Sequence, residues 1–106
     1  MSFMDLITGA TINRGVDQWR ATDGAVLIDV RSEEEYGQGH IPGSVNIPLN
    51  DIKRVLQEYP EKETQIFVHC LTGSRSGQAL SFLKRSGYTK VENIGGITGY
   101  QGEVVR

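Results

Sequence analysis

Short apolar runs recur along the chain, and each is bounded by residues typical of turns. The runs at residues 25–30 and 66–68 show no polar alternation, as expected of strands that are covered on both faces of a parallel sheet. Briefer runs at residues 10–12, 44–48 and 90–94 predict three further strands. Gly95 and Gly96 are then predicted to turn the chain into a short tail.

Apolar residues at helical spacing separate most of these runs. They predict helices over residues 13–21, from Ser32 onward, from residue 50 or 51 to Pro60, and from about residue 74 to Gly87. Ser74 and Ser76 are the candidate caps of the last helix. Strands that alternate with helices predict an α/β fold, with a central parallel sheet flanked by helices on both faces. Sites in such sheets form at the carboxyl ends of the strands.

Composition describes an ordinary globular protein. With 106 residues, 38% hydrophobic and 23% charged, residues 1–106 are expected to form a single domain, with residues 1–9 as a loosely packed lead-in. The net charge is −2 and both signs are interspersed along the chain, so the sequence does not indicate a basic surface that would bind nucleic acid or an anionic membrane. The single cysteine cannot form an internal disulfide, and no secretory signal or membrane span is visible. A cytoplasmic location is therefore expected.

Cys70 is the candidate nucleophile, because it stands where a buried strand meets the start of a helix. The helix would aim unpaired backbone N–H groups and the positive end of its dipole at the preceding loop. Arg75 adds a full positive charge nearby. These conditions lower the pKa of a thiol and make it reactive. A lone cysteine can also be a buried structural thiol, but the glycine and serine spacing of this loop favours the nucleophile.

Asp29 and Arg31 follow the other long strand and belong to the same predicted edge of the sheet. We expect them to form an ion pair that ties the strand end to neighbouring loops, in preference to contacting substrate. If Asp29 lies near Arg75, it would orient that side chain.

The two histidines are expected to be structural. The side chain of His69 should point to the face opposite Cys70, and His40 should bond to backbone or to Glu35. Their spacing does not match a zinc site, and the loop at Gly73 lacks the ending of a nucleotide-binding P-loop. We expect no metal and no cofactor.

Taken together, several segments give the chain a family resemblance. It resembles the rhodanese (sulfurtransferase) family over most of its length, through Ile28-Asp29-Val30-Arg31, Gly39-His40-Ile41-Pro42-Gly43, Val68-His69-Cys70 with Gly73 and Arg75, and Gly95-Gly96. The family fold is a small α/β domain with a central parallel sheet.

The resemblance implies a chemistry for the cysteine loop. Cys70 would take a sulfane sulfur from a donor such as thiosulfate, form a persulfide, and pass the sulfur to cyanide, glutathione or a protein thiol. The loop amides of Leu71, Thr72, Gly73 and Ser74 would surround that sulfur, and Arg75 would help to hold the donor. Because the chain has no second thiol, the acceptor must come from outside, and the sparse charge of the loop makes a protein persulfide a further candidate donor.

Two other functions remain open. Protein tyrosine phosphatases also use a His-Cys loop, but their arginine follows five intervening residues, whereas only four separate Cys70 from Arg75. A shorter loop encloses a smaller cavity, which suits one sulfur atom better than a phosphoryl group. Phosphatase or arsenate reductase activity is therefore disfavoured. A non-catalytic module that binds a partner or senses redox state is the other alternative.

Overall fold

The computed structural model describes residues 10–106. The helices are α1 (Ala10–Ala21), α2 (Glu33–Gln38), α3 (Val55–Glu58) and α4 (Ser74–Arg85), and 3-10 turns cover Leu49–Arg54 and Ile97–Gly99. The strands are β1 (Val26–Asp29), β2 (Val45–Asn46), β3 (Ile66–Cys70) and β4 (Val91–Gly96). The predicted lead-in at residues 1–9 lies outside the described residues.

The four strands form one parallel sheet in the order β2-β1-β3-β4. Asp29 of β1 is in register with His69 of β3, and Cys70 pairs with Gly96 of β4. The carboxyl ends of β1 and β3, which carry the predicted site residues, therefore lie at the same edge of the sheet. This confirms the predicted α/β architecture.

Helices cover both faces of the sheet, and strand residues alternate between two apolar cores. Ile28 and Val68 belong to one core, which contains Val55 of α3 and Leu83 of α4. Leu27 and Phe67 belong to the second core, which α1 covers with Ile12 and Val16. Burial of these side chains is the main stabilising term for such a fold, at about 25 cal/mol per Å² of apolar surface.

The strand predicted at residues 10–12 is wrong, because these residues form the first turn of α1. Thr11 and Ile12 are β-branched and locally favour a strand. Packing overrides that preference, because Ile12 and Val16 are four residues apart on one helix face and both are buried. Gly15 faces Ile94 so closely that a Cβ there would overlap its side chain, which allows α1 to lie against β4.

Two other boundaries differ from the prediction. The segment after Pro48 begins as a 3-10 turn at Leu49 with no side-chain cap, whereas the sequence predicts a helix from residue 50 or 51. Gly95 and Gly96 belong to β4 and are not the turn that follows it.

Gly87 ends α4 as predicted, in the left-handed region at φ 102°. No helix among residues 10–106 is long and apolar enough to cross a membrane.

Candidate active site

Cys70 is the last residue of β3, and the chain turns at once into α4. We call residues 70–75 the cysteine loop. Gly73 occupies the left-handed region at φ 108° and is the N-cap of α4, which begins at Ser74. No side chain caps this helix, so the capping predicted for Ser74 or Ser76 is wrong. The unpaired backbone N–H groups of the first turn remain available to the loop.

The Cys70 Sγ atom accepts hydrogen bonds from several directions. The Gly73 N–H donates to it at 3.0 Å, and the Ser76 hydroxyl oxygen lies 3.4 Å away. Burial by itself would raise the pKa of this thiol, but the Ser76 hydroxyl and the backbone N–H groups of Ser76, Gly73 and Thr72 outweigh it and hold the pKa below its ordinary value. Only 1% of Cys70 is exposed. The arrangement favours a thiolate recessed beneath a ring of donors.

Behind the thiol, a buried polar network joins α4 to β4. The Ser76 hydroxyl is 2.7 Å from Asn93 Oδ1, which also accepts from the Gly95 N–H at 3.0 Å. Asn93 Nδ2 donates to the carbonyl of Gly73 at 3.2 Å. The one proton of the Ser76 hydroxyl has three acceptors within reach, namely Asn93, Gly73 and Cys70. Ser76 can therefore turn its proton to the thiolate when Cys70 ionises.

Strand β4 also fixes the outer part of the loop. A Cβ on Gly96 would overlap the carbonyl of Leu71 and the Cα of Thr72, so only glycine allows this approach. The Thr98 N–H donates to the Leu71 carbonyl at 3.2 Å, and the Thr98 hydroxyl donates to it at 2.6 Å. The pairing register of β3 with β4 also shifts here, between Val68 and Cys70. The shape of the cysteine loop thus depends on β4.

Arg75 forms a two-pronged ion pair with Glu35 of α2. Its two terminal nitrogens donate to the two carboxylate oxygens at 2.7 and 2.9 Å. Glu35 Oε1 also accepts from the Ser32 N–H at 3.0 Å, while the Ser32 hydroxyl accepts from the Glu35 N–H, so the same carboxylate completes a capping box. The Arg75 guanidinium lowers the pKa of Glu35 to about 2, and the Glu35 carboxylate raises the pKa of Arg75.

The expected ion pair between Asp29 and Arg31 is present and buried. Arg31 Nη2 donates to Asp29 Oδ2 at 2.7 Å and to the carbonyl of Gly39 at 2.8 Å. Asn46 donates to the carbonyls of both Asp29 and Arg31. Within the described chain, no hydrogen bond joins Asp29 to Arg75. Arg75 binds the carboxylate of Glu35 instead. The ion pair of Asp29 and Arg31 therefore ties the end of β1 to the loop at Gly39 through the Arg31 side chain.

His69 points to the face opposite Cys70, as expected. Its Nδ1 donates to the carbonyl of Cys70 at 3.1 Å, and its Nε2 is 3.5 Å from Asp29 Oδ2. Burial lowers the pKa of His69 more than the Asp29 charge raises it. His40 stacks on Tyr36 and donates to its backbone carbonyl at 2.9 Å, not to Glu35. Residues 10–106 contain no cluster of three His, Cys, Asp or Glu side chains suited to a metal ion.

A pocket of about 140 Å³ opens beside Arg75. Its wall is partly apolar and partly polar and consists of Val30, Ser32, Pro48, Leu49, Asn50 and Arg75. The residues after β1 and β2 thus meet the cysteine loop at the carboxyl edge of the sheet. This is the position at which α/β sheets bind small molecules.

Of the predicted loop residues, Thr72 and Gly73 direct their N–H groups at the Cys70 Sγ atom, and three residues outside the predicted site also take part. Ser76 and Asn93 form the network behind the thiol, and Glu35 holds Arg75. The spacing of Ser76 from Cys70 was visible in the sequence, but its contact with Asn93 joins separate elements and has no local pattern.

Comparisons with known proteins agree with this geometry. The family model described as a rhodanese-like domain matches residues 13–103. Over 71 residues the chain is 46% identical to thiosulfate sulfurtransferase PspE of Escherichia coli, covering 66% of this chain and 68% of that protein. It is 40% identical over 90 residues to the adenylyltransferase and sulfurtransferase uba4 of Ogataea parapolymorpha, covering 84% of this chain but 23% of that protein. A solved structure of a rhodanese with anions from E. coli superimposes with a TM-score of 0.72 at 41% identity, over 77% of this chain and 98% of that one.

Proposed function

The chain belongs to the rhodanese-like family, and from that premise we propose that it is a thiosulfate sulfurtransferase whose nucleophile is Cys70. The observation that supports this most directly is the set of N–H and O–H donors directed at the Cys70 Sγ atom. Such donors stabilise a thiolate before the reaction and a persulfide anion after it. The similarity to a protein named thiosulfate sulfurtransferase also supports the proposed activity.

In the first half-reaction, the Cys70 thiolate attacks the outer sulfur of the donor. A new S–S bond forms at Cys70 while the S–S bond of the donor breaks, and sulfite leaves with the bonding electron pair when thiosulfate is the donor. No proton has to move, so a base is not required. The N–H groups of Thr72 and Gly73, which are directed at the Cys70 Sγ atom, would stabilise the negative charge of the persulfide that forms there.

In the second half-reaction, an external nucleophile attacks the terminal sulfur of the persulfide. Cyanide would leave as thiocyanate and a thiolate as its own persulfide, and the electron pair of the broken S–S bond returns to Cys70 as a thiolate. Cys70 is the only cysteine in the sequence, so no internal thiol can take the sulfur. A small molecule or a protein thiol is therefore the acceptor.

Two measurements on wild type and Cys70→Ser test the proposal. Exposure to thiosulfate should add one sulfur atom to the peptide that contains Cys70, as detected by mass spectrometry. Thiocyanate formation from thiosulfate and cyanide should fall to background in Cys70→Ser, whose circular dichroism should remain that of wild type.

The alternatives make different predictions. A non-catalytic module would acquire no sulfur from thiosulfate or from any persulfide. A phosphatase would hydrolyse an aryl phosphate in a reaction that depends on Cys70. Either result would contradict the proposed sulfur transfer.

A further inference from the structure

Arg75 is the only basic residue of the cysteine loop, and its charge is already matched. Glu35 binds the guanidinium through both carboxylate oxygens. The pKa of Glu35 is lowered to about 2, so the carboxylate is negative throughout the neutral range. An anionic donor that approaches Arg75 therefore meets a cation and an anion together.

Glu35 is also fixed in position. One of its oxygens accepts the backbone N–H of Ser32, and its own N–H donates to the Ser32 hydroxyl. A donor that displaced the carboxylate would break the ion pair and part of the helix cap at once. The Arg75 and Glu35 side chains are 34% and 29% exposed, so a donor can reach this pair but does not find a free cation.

The adjacent pocket has a different character from an inorganic anion site. Val30, Pro48 and Leu49 supply apolar surface, and Arg75 is the only charged side chain in its wall. A volume of about 140 Å³ accommodates a few heavy atoms of an organic substituent. Such a wall favours the body of an organic donor by burial of apolar surface.

We propose that Glu35 is a specificity-determining residue: by occupying Arg75, it makes the site favour sulfane donors with a single negative charge and an organic substituent over inorganic dianions. Thiosulfonates and organic persulfides share this chemistry. The inference rests on the proposed sulfur transfer and adds a substrate class to it. Glu35 acts through Arg75 and through its own charge, so it is a positioning residue and takes no part in bond exchange.

Methanethiosulfonate and thiosulfate provide a matched pair of donors. They differ by the replacement of one anionic oxygen by a methyl group, so they have similar size but one and two negative charges. Each gives the same Cys70 persulfide, and the bond that breaks is the S–S bond in both. Methanesulfinate leaves in one case and sulfite in the other, each with the bonding electron pair.

The experiment measures KM and kcat for both donors with cyanide as acceptor, in wild type, Glu35→Gln and Glu34→Gln. Glu34 is an exposed neighbour on the same helix, so its variant makes the same change in net charge without touching Arg75. Glu35→Gln should lower KM for thiosulfate roughly three- to tenfold and change KM for methanethiosulfonate less than half as much on a logarithmic scale. Glu34→Gln should leave both values near those of wild type.

A second measurement needs no variant. Because Arg75 is neutralised, KM of wild type for thiosulfate should change little as ionic strength rises. Three results would each overturn the role of Glu35 while leaving sulfur transfer intact. In Glu35→Gln, these are equal changes in KM for both donors or a higher KM for thiosulfate. In wild type, it is a KM for thiosulfate that rises steeply with salt. If neither donor placed sulfur on Cys70 of wild type, the proposed function itself would be wrong.

Discussion

The Ser76 hydroxyl should account for much of the reactivity of Cys70, and Ser76→Ala removes it. Ser76 is fully buried, and its oxygen is 3.4 Å from Sγ and 2.7 Å from Asn93 Oδ1. The hydroxyl supplies one of several donors to the thiolate, since the N–H groups of Thr72, Gly73 and Ser76 remain in the variant. The pKa of Cys70 should therefore rise, while the loop keeps its shape.

The size of the effect follows from the value of a hydrogen bond to a charged group. Such a bond contributes about 1.5 to 3 kcal/mol, and 1.36 kcal/mol corresponds to a tenfold change in an ionisation equilibrium. The long O–S distance places Ser76 at the lower end of this range. At a pH below the pKa of the thiol, the thiolate fraction of Ser76→Ala should fall about tenfold.

Alkylation by iodoacetamide measures this fraction directly, because Cys70 is the only thiol in the chain. Rates followed by mass spectrometry across a pH series should rise to a plateau in both proteins, since the thiolate is the species that reacts, and the midpoint of the rise gives the pKa. In wild type the plateau begins at lower pH, because its pKa lies below the ordinary value. Ser81→Ala, an exposed position on the same helix, is the matched control. Superimposable pH profiles for wild type and Ser76→Ala would refute the assignment.

Three further predictions concern the frame around the thiol. Gly96→Ala should reduce sulfur transfer at least tenfold with little change in far-ultraviolet circular dichroism, since its Cβ would displace the cysteine loop, whereas Gly37→Ala, which meets nothing within 4 Å, should be neutral. Asp29→Asn should lower the free energy of unfolding by about 3 kcal/mol in urea titrations, because it leaves the buried Arg31 cation unpaired. The folded protein binds a proton at Glu35 less readily than the unfolded chain, so its contribution is full above about pH 4.5 and is lost toward pH 2. Glu35→Gln should thus cost about 1 kcal/mol at neutral pH, a value reduced by solvent screening, and almost nothing at pH 2; equal costs at both pH values would contradict this.

The sheet and the position of Cys70 could be predicted because they depend on local patterns. The unbroken apolar runs around Ile28 and Phe67 indicated strands covered on both faces, and Gly87 marked the end of a helix. The error at residues 10–12 arose because the packing of Ile12 beside Val16 against the sheet outweighed a β-branched sequence. Local patterns carry no information about which helix packs on which strand.

The surroundings of the thiol were harder to predict because they join distant parts of the chain. Arg75 was recognised as a neighbour of Cys70, but its partner Glu35 lies 40 residues away. Asn93 is 17 residues from Ser76 and reaches it only through the parallel pairing of β3 and β4. Asp29 was considered as a residue that could orient Arg75, but its carboxylate binds Arg31, the ion pair that was expected.

The last strand has a consequence for how the activity is acquired. Cys70 is present as soon as β3 is synthesised, but Asn93 and Gly96, which shape its surroundings, arrive more than twenty residues later. A nascent or truncated chain that lacks β4 would lack the contacts that hold the cysteine loop in this shape, so its sulfhydryl should be less activated. Acquisition of nucleophilicity should therefore coincide with completion of the native sheet, so that the rate of chemical labelling at this one atom reports how many molecules have finished folding.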